Sequence, residues 1–185
     1  VEIFKNKFIT NIKLDQKLAK FTWFGVGGKA EILFTPEDEK SLIEFLKNKP
    51  QEYKVFPIGA GSNLLIRDKG INGIVLVTKK LKKISIDNNG IISAQAGAAD
   101  AEVARFARDY ERAGLEFLLG IPGTIGGGIK MNSGAFGSEF KDVLIDVTAI
   151  NNCGELNVFS NQELKMDYRK IGVSDEWIFY KARFK

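Results

Sequence analysis

Two stretches of the 185-residue chain combine glycines with small polar side chains, a pattern typical of phosphate-binding loops. The first is Gly59-Ala60-Gly61-Ser62-Asn63, and the second runs from Gly120 to Gly137 and includes Thr124 and Asn132. Glycine allows backbone N–H groups to converge on a ligand that approaches closely. Ser, Thr and Asn add side-chain donors. Two such loops facing each other would form a diphosphate cradle; the alternative is that the glycines serve only tight turns and bulges.

Neither loop matches the best-known nucleotide-binding patterns. The dinucleotide pattern G-x-G-x-x-G needs a third glycine where the helix packs on the strand, and Leu64 occupies that position after Gly59 and Gly61. The following Leu64-Leu65-Ile66 indicates extended chain rather than a helix. No Gly-Lys-Ser or Gly-Lys-Thr occurs, so the Walker pattern is absent. The loops therefore predict a phosphate-bearing ligand held by some other fold.

The composition narrows the chemistry and the partners. The chain has no histidine and one cysteine, Cys153, which excludes Ser-His-Asp and Cys-His sites and an intrachain disulfide, and we expect no metal. A net charge of +4 is weak for a nucleic-acid-binding protein. No apolar run is long enough to span a membrane, and the N-terminal segment lacks the apolar core of a signal peptide. We therefore expect a cytoplasmic protein that binds neither nucleic acid nor membranes.

The elements that must position these loops are mostly strands. We predict strands at residues 30–34, 53–58, 74–77, 83–86, 91–96, 143–150, 156–160 and 177–184. The sequence Pro36-Glu37-Asp38-Glu39 predicts a helix start, because acidic residues there complement the helix dipole. Asp100 is predicted to be the N-cap of a second helix.

The order of these elements predicts an α+β fold. Residues up to about Lys20 are expected to form a polar, partly helical lead-in. We divide the chain into an N-terminal αβ subdomain, residues 1–80, and a β-rich subdomain, residues 81–185.

Several stretches resemble the UDP-N-acetylenolpyruvoylglucosamine reductase family. They are TWFGVGG at residues 22–28, GAGSNLL at 59–65, GLEFLLGIPGTIGG at 114–127, the segment 131–137, and the late pair Tyr168-Arg169. They follow one another in the family's order from about Phe21 to Lys185. Ser133 and Phe136 depart from the pattern, since the family usually has Ala and Tyr there.

The resemblance implies a two-subdomain FAD-binding fold of the vanillyl-alcohol-oxidase (PCMH) type, with FAD between the subdomains. It implies NADPH as the hydride donor, and a UDP-sugar as the substrate that is reduced in peptidoglycan precursor synthesis. It implies a third domain, carrying the proton-donating serine, that is expected to lie outside this sequence. We also expect a monomer. The residues expected to bind the cofactor are Gly59, Ala60, Gly61, Ser62, Asn63, Leu64, Gly120, Pro122, Gly123, Thr124, Gly127, Gly128, Asn132, Gly134 and Ala135.

The resemblance also assigns roles to the Tyr-Arg pair. Arg169 is expected to be catalytic, because a guanidinium can make two charge-assisted hydrogen bonds to the carboxylate on which enolate charge develops. Tyr168 is expected to contact the substrate. From the residues alone, Arg169 could instead form a surface ion pair near Asp167 or Asp175, and Tyr168 could be a core residue. Two other functions remain open: a flavin oxidase of the same superfold, and a flavin-binding module without turnover.

Overall fold

Two large β-sheets and one two-stranded sheet form the framework of residues 11–185, the part of the chain described by the computed structural model. The strands are β1 (Ile12–Lys17), β2 (Lys29–Phe34), β3 (Val55–Ile58), β4 (Ile71–Val77), β5 (Ile84–Ile86), β6 (Ile92–Gln95), β7 (Gly134–Ala135), β8 (Ser138–Glu139), β9 (Leu144–Ile150), β10 (Leu156–Ser160) and β11 (Ile178–Phe184). The α-helices are α1 (Glu39–Asn48), α2 (Asp100–Asp109), α3 (Ile125–Lys130), α4 (Phe140–Val143) and α5 (Asn161–Leu164). Short 3-10 helices span Ala19–Phe21 and Glu116–Gly120.

The first sheet has the strand order β1-β2-β4-β3. β2 and β3 both run parallel to β4, and β1 is antiparallel to β2. Side chains alternate between the two faces of a strand. In β4 both sets of side chains are apolar, because each face of the sheet packs against its own apolar cluster. Ile74 and Leu76 pack in the cluster that contains α1, whereas Val75 and Val77 pack in a separate cluster on the other side. A mostly parallel sheet covered on both faces needs such a continuous apolar run.

Helix α1 begins where the sequence predicts. The Asp38 carboxylate accepts a hydrogen bond from the Ser41 N–H at 2.8 Å, and the Ser41 side chain bonds back to the Asp38 backbone. This capping box satisfies two N–H groups that the first turn leaves unpaired. The buried face of α1 packs on the first sheet, with the Phe34 and Phe45 rings stacked at a centroid distance of 3.8 Å.

The second sheet is antiparallel throughout, in the order β10-β9-β11-β6-β5. Its largest apolar cluster takes Val103 and Ala107 from α2, Ile129 from α3 and Phe140 from α4. The two sheets are also joined, because Ile178 of the second sheet belongs to the same cluster as residues of α1. The division at residue 80 stays a prediction, supported by a first sheet that ends at Val77 and a second that begins at Ile84.

The structure bears on two sequence-based expectations. The lead-in to about Lys20 was expected to be partly helical; within its described residues a 3-10 helix begins at Ala19, whereas residues 12–17 form β1 by hydrogen bonding to β2, and residues 1–10 lie outside the described part. Asp100 was expected to cap α2, but Ala99 is the N-cap and Asp100 is the first helical residue, with its side chain buried. Ala99 forms a β-bridge with Thr124, and this pairing fixes where the helix begins.

The glycine-dense block contains a helix that the sequence did not indicate. Helix α3 has the sequence IGGGIK, although glycine is among the poorest helix formers. Packing explains two of its glycines: a Cβ on Gly126 would lie 2.9 Å from the Ala96 Cβ, and one on Gly128 would lie 2.4 Å from the Phe140 ring. Among residues 11–185, no helix is long and apolar enough to cross a membrane.

Candidate functional site

A cavity of about 1320 Å³ lies where the two glycine-rich loops meet. Its volume exceeds the 300–1,000 Å³ typical of small-molecule pockets, so it has room for an extended ligand. Every residue that the sequence analysis placed in the site lines this cavity. The seventeen residues are Gly59, Ala60, Gly61, Ser62, Asn63, Leu64, Gly120, Pro122, Gly123, Thr124, Gly127, Gly128, Asn132, Gly134, Ala135, Tyr168 and Arg169.

The first loop follows β3 and takes its shape from a close backbone contact. Gly61 has φ +68°, and a Cβ there would lie 1.9 Å from the Phe21 carbonyl oxygen. The Gly61 carbonyl accepts a hydrogen bond from the Trp23 N–H at 3.1 Å. Gly61 is thus required for the loop to pack against residues 21–23. Within residues 11–185, no acceptor pairs with the N–H of Ala60 or Ser62, so both are available to a ligand.

The second loop is fixed to the chain that follows β6. The Ile125 N–H donates to the Ala98 carbonyl at 3.0 Å, and the Gly126 N–H donates to the Ala96 carbonyl at 2.9 Å. These bonds leave the N–H groups of Thr124 and Gly127 without an acceptor in the described part of the chain. A Cβ on Gly127 would meet only the Thr124 Oγ1, at 3.8 Å, so this backbone is open to close approach.

Thr124 marks the point where the two loops touch. Its hydroxyl is buried and has no hydrogen-bond partner among the described residues. A Cβ on Gly59 would lie 2.2 Å from the Thr124 Oγ1, so the first loop needs glycine at this contact. A buried hydroxyl without a partner is costly. Together with the unpaired N–H groups, it gives the cavity wall the donors that a diphosphate needs.

A carboxyl group lies directly behind the second loop. Asp100 is fully buried, and neither of its oxygens has a partner within the described residues. A Cβ on Gly123 would lie 2.6 Å from the Asp100 Oδ2. Burial raises the pKa of the Asp100 carboxyl to about 7. A neutral acid is therefore favoured behind the loop below that pH, since desolvation penalises the charged form.

The Tyr168–Arg169 turn brings a cation to the cavity. Arg169 has φ +52°, and its guanidinium lies 5.3 Å from the centre of the Tyr168 ring. Among residues 11–185, Arg169 forms no ion pair, and Asp175 pairs instead with Lys130. Tyr168 is 76% exposed. The surface ion pair considered for Arg169 and the core position considered for Tyr168 are therefore not what the structure shows. The catalytic and substrate roles stay predictions.

Asn132 lines the cavity, but its side-chain amide is engaged elsewhere. It donates to the Glu139 carboxylate at 2.5 Å and to the Asp167 carbonyl at 3.4 Å, and its Oδ1 accepts from the Lys141 N–H at 3.0 Å. The sequence analysis expected the Asn132 side chain to donate to a cofactor. In the structure its amide N–H groups are already used by Glu139 and Asp167.

The cavity includes residues that the sequence analysis missed, and it excludes one glycine cluster. Phe56, Lys130, Glu139 and Trp177 line the wall. Of these only Lys130 and Glu139 border a recognised motif, and no local pattern indicated Phe56 or Trp177. The cluster at residues 25–28 does not line the cavity; a Cβ on Gly28 would lie 2.1 Å from the Asp68 carbonyl oxygen, so packing accounts for that glycine.

Residues 30–160 match the family described as FAD binding domain. The chain belongs to this FAD-binding domain family. The match spans β2 to β10 and both cavity loops. It confirms FAD as the cofactor, and an FAD-binding domain accounts for the unpaired donors around the cavity.

Relatives of this FAD-binding domain include reductases from several bacteria. UDP-N-acetylenolpyruvoylglucosamine reductase of Bradyrhizobium sp. (strain ORS 278) is 45% identical over 173 residues, which are 92% of this chain and 56% of the relative. The enzyme of the same name from Orientia tsutsugamushi (strain Boryong) is 44% identical over 170 residues, covering 90% of this chain and 56% of that protein. The chain thus spans about half the length of the curated relatives it matches.

Solved structures confirm the expected fold class. A crystal structure of UDP-N-acetylenolpyruvylglucosamine reductase from Thermus caldophilus superposes with a TM-score of 0.79 at 30% identity, covering 94% of this chain and 60% of that one. Glucooligosaccharide oxidase from Acremonium strictum superposes with a TM-score of 0.66 at 16% identity, covering 84% of this chain and 34% of the oxidase, and shows the fold alone. The FAD-binding domain is α+β and of the vanillyl-alcohol-oxidase type.

Proposed function

We propose that this FAD-binding domain serves an NADPH-dependent reductase that converts UDP-N-acetylenolpyruvoylglucosamine to UDP-N-acetylmuramate for peptidoglycan precursors. The observation that carries the proposal is the convergence of both glycine loops and Arg169 on one cavity, in a chain 45% identical to a reductase of that name. We expect the protein to act in the cytoplasm, as a monomer and without a nucleic-acid partner.

The two loops would hold the FAD diphosphate through backbone donors. The N–H groups of Ala60 and Ser62 on one side, and of Thr124 and Gly127 on the other, have no acceptor within residues 11–185. The buried Thr124 hydroxyl adds a side-chain donor. Preorganised backbone donors suit an anion because they need no reorientation when it binds. When bound, FAD would supply the hydride, taken from NADPH, that adds to the β-carbon of the enolpyruvyl group, and the serine of the expected third domain would supply the proton to the α-carbon.

Arg169 would bind the substrate carboxylate. A guanidinium offers two parallel N–H donors to a carboxylate, and these bonds strengthen as enolate charge develops on the carboxylate during reduction. The Tyr168 ring, 5.3 Å from the guanidinium carbon, restricts the Arg169 side chain by a cation–π contact. A charge held in place before reaction costs less to orient in the transition state.

The test has two arms, cofactor and turnover. Denaturing the purified protein should release FAD, and release of FMN, or of no flavin, would contradict the cofactor site. NADPH oxidation that depends on UDP-N-acetylenolpyruvoylglucosamine should appear in the full-length natural protein. FAD binding without that oxidation would leave a flavin-binding module and overturn the reductase proposal.

An oxidase of the kind seen in the Acremonium strictum neighbour has less support. That neighbour is described with a 6-S-cysteinyl, 8α-N1-histidyl FAD. This chain has no histidine, and its single cysteine, Cys153, is exposed and does not line the cavity. Its FAD is therefore expected to be released intact, without a covalent bond, when the protein is denatured.

A further inference from the structure

Asn132 joins three segments that border the cavity. Its amide nitrogen donates to the Glu139 carboxylate in β8 and to the Asp167 carbonyl, and its oxygen accepts from the Lys141 N–H in α4. The residue is only 4% exposed. An asparagine amide has two N–H donors and one acceptor oxygen, so these three bonds use both donors and part of the oxygen's capacity. No donor remains for a ligand in the cavity.

The backbone at Asn132 also has a specific conformation. Its φ is +40°, in the left-handed region, where asparagine is tolerated better than most residues. Arg169, which also lines the cavity, has φ of +52°. Residues in such conformations persist only when surrounding contacts hold them, and they concentrate at functional sites.

The Asp167–Lys170 turn is closed by hydrogen bonds of its own, including one from the Tyr168 N–H to the Asp167 carboxylate at 2.7 Å. The Asp167 N–H donates to the Lys170 carbonyl at 3.0 Å, and the Lys170 N–H donates back to the Asp167 carbonyl at 3.1 Å. Arg169, within this turn, is exposed. The Glu139 carboxylate, which accepts from Asn132, also forms an ion pair with the Lys141 ammonium group at 3.0 Å. That carboxylate raises the pKa of Lys141, and Asp167 adds to the shift. Asn132, Glu139 and Lys141 thus connect the turn to the second glycine loop.

We infer that Asn132 is a positioning residue: it holds the Tyr168–Arg169 turn at the cavity and does not donate to the cofactor. The structural part of this inference stands on the hydrogen bonds alone. Its consequence for catalysis rests on the proposed function, in which Arg169 binds the substrate carboxylate. A cofactor ligand and a positioning residue predict opposite outcomes when the amide is removed.

The variant Asn132→Gly distinguishes a cofactor ligand from a positioning residue. Glycine adopts φ +40° without strain, so the substitution removes the amide and leaves the backbone conformation accessible. The matched control is Asn48→Gly. Its amide also donates to a backbone carbonyl, that of Glu44 at 2.7 Å, but Asn48 ends α1 and does not line the cavity.

Two measurements on the FAD-bound chain test the structural part. Amide hydrogen exchange at Asp167 and Lys170 should accelerate about fivefold in Asn132→Gly, the population shift expected from losing one net hydrogen bond, and should not change in Asn48→Gly. The FAD dissociation constant should stay within about threefold of the unmodified chain, less than the loss of one net hydrogen bond to a ligand would produce. Unchanged exchange in the turn, or FAD affinity weakened by about tenfold or more, would overturn the inference.

The catalytic consequence is measured in the full-length natural protein by a double-mutant cycle. Asn132→Gly should lower kcat/KM in the unmodified background and have little further effect when combined with Arg169→Ala, because residues that act through one another are not additive. An equal loss in both backgrounds would show that Asn132 does not act through Arg169. If the protein has no activity on the enolpyruvyl sugar, the proposed function fails, and the exchange and FAD measurements still decide whether Asn132 holds the turn.

Discussion

At the scale of single residues, Asp100 has the most unusual environment. Its carboxyl is fully buried, has no hydrogen-bond partner among the described residues and has its pKa raised to about 7. The unfolded chain loses this proton near pH 3.8, whereas the folded chain keeps it up to about pH 7. Because the folded state binds more protons between these values, Asp100 makes the protein less stable as pH rises from about 4 to 7, with no further change above that.

We expect Asp100→Asn to remove this pH dependence. The amide cannot ionise, so the variant should gain stability relative to the unmodified protein between pH 5 and pH 8, by on the order of 2 kcal/mol. Urea unfolding at both pH values measures the difference. If the two proteins differed in stability by the same amount at pH 5 and at pH 8, the pKa of the Asp100 carboxyl would not be raised by folding, and the prediction would be wrong.

Arg169 supports a second prediction at this scale. Under the proposed function, Arg169→Ala should lower kcat/KM for the enolpyruvyl sugar by about 10²-fold or more, because it would remove donors directed at developing charge. Arg169→Lys should recover only part of the loss, since an ammonium lacks the planar fork. FAD affinity should not change in either variant. Steady-state kinetics of the full-length protein give the answer, and a change in FAD affinity equal to the kinetic loss would place Arg169 in the cofactor site instead.

At the scale of elements, the two loops use glycine for different reasons. Gly61 is needed because the Phe21 carbonyl leaves no space for a Cβ, whereas Gly127 has open space beside the cavity. Gly127→Val should therefore weaken FAD binding by about tenfold or more, since its side chain would occupy space at the loop where the ligand approaches. The melting temperature of the flavin-free protein should change little. Flavin titration and thermal unfolding measure the two effects.

Gly61→Val provides the contrast. It forces a β-branched residue to φ +68° and against the Phe21 carbonyl, so the flavin-free protein itself should be destabilised, by about 2 kcal/mol or more. If Gly127→Val kept full FAD affinity, α3 would have to be assigned a packing role only.

At the scale of the whole molecule, the cavity takes its walls from both halves of the chain. Residues 59–64 lie between β3 and β4 of the first sheet, and residues 120–135 lie between β6 and β9 of the second. A ligand held by both loops should stabilise the entire fold, as any ligand of the native state does. At an FAD concentration of 100 times the dissociation constant, the gain is about 2.7 kcal/mol, or roughly 5–10 °C in Tm for a chain of this size.

FMN is the matched control for that measurement, because it lacks the diphosphate and the adenosine. Its effect on Tm at the same concentration should be clearly smaller. Equal shifts from FAD and FMN would mean that only one of the two loops contributes to binding.

The sequence by itself determined the features that depend on short-range signals. The acidic start of α1 predicted a helix that a capping box confirms, and the strand predicted at 156–160 has those bounds in the structure. The glycine loops and the Tyr-Arg pair, read together with the family resemblance, indicated the residues that line the cavity. Caps, turns and alternating apolar residues are local, so the sequence reports them directly.

The tertiary structure alone decided which backbone and side-chain groups of those residues are available to a ligand. Helix α3 forms from IGGGIK because glycine permits close packing on Ala96 and Phe140, against its low helix propensity. Asp100 turns inward because Ala99 pairs with Thr124, which is distant in sequence. The Asn132 amide bonds to Glu139 and Asp167 rather than facing a ligand. Each outcome depends on a contact between segments far apart in the chain, and no local pattern records such a contact.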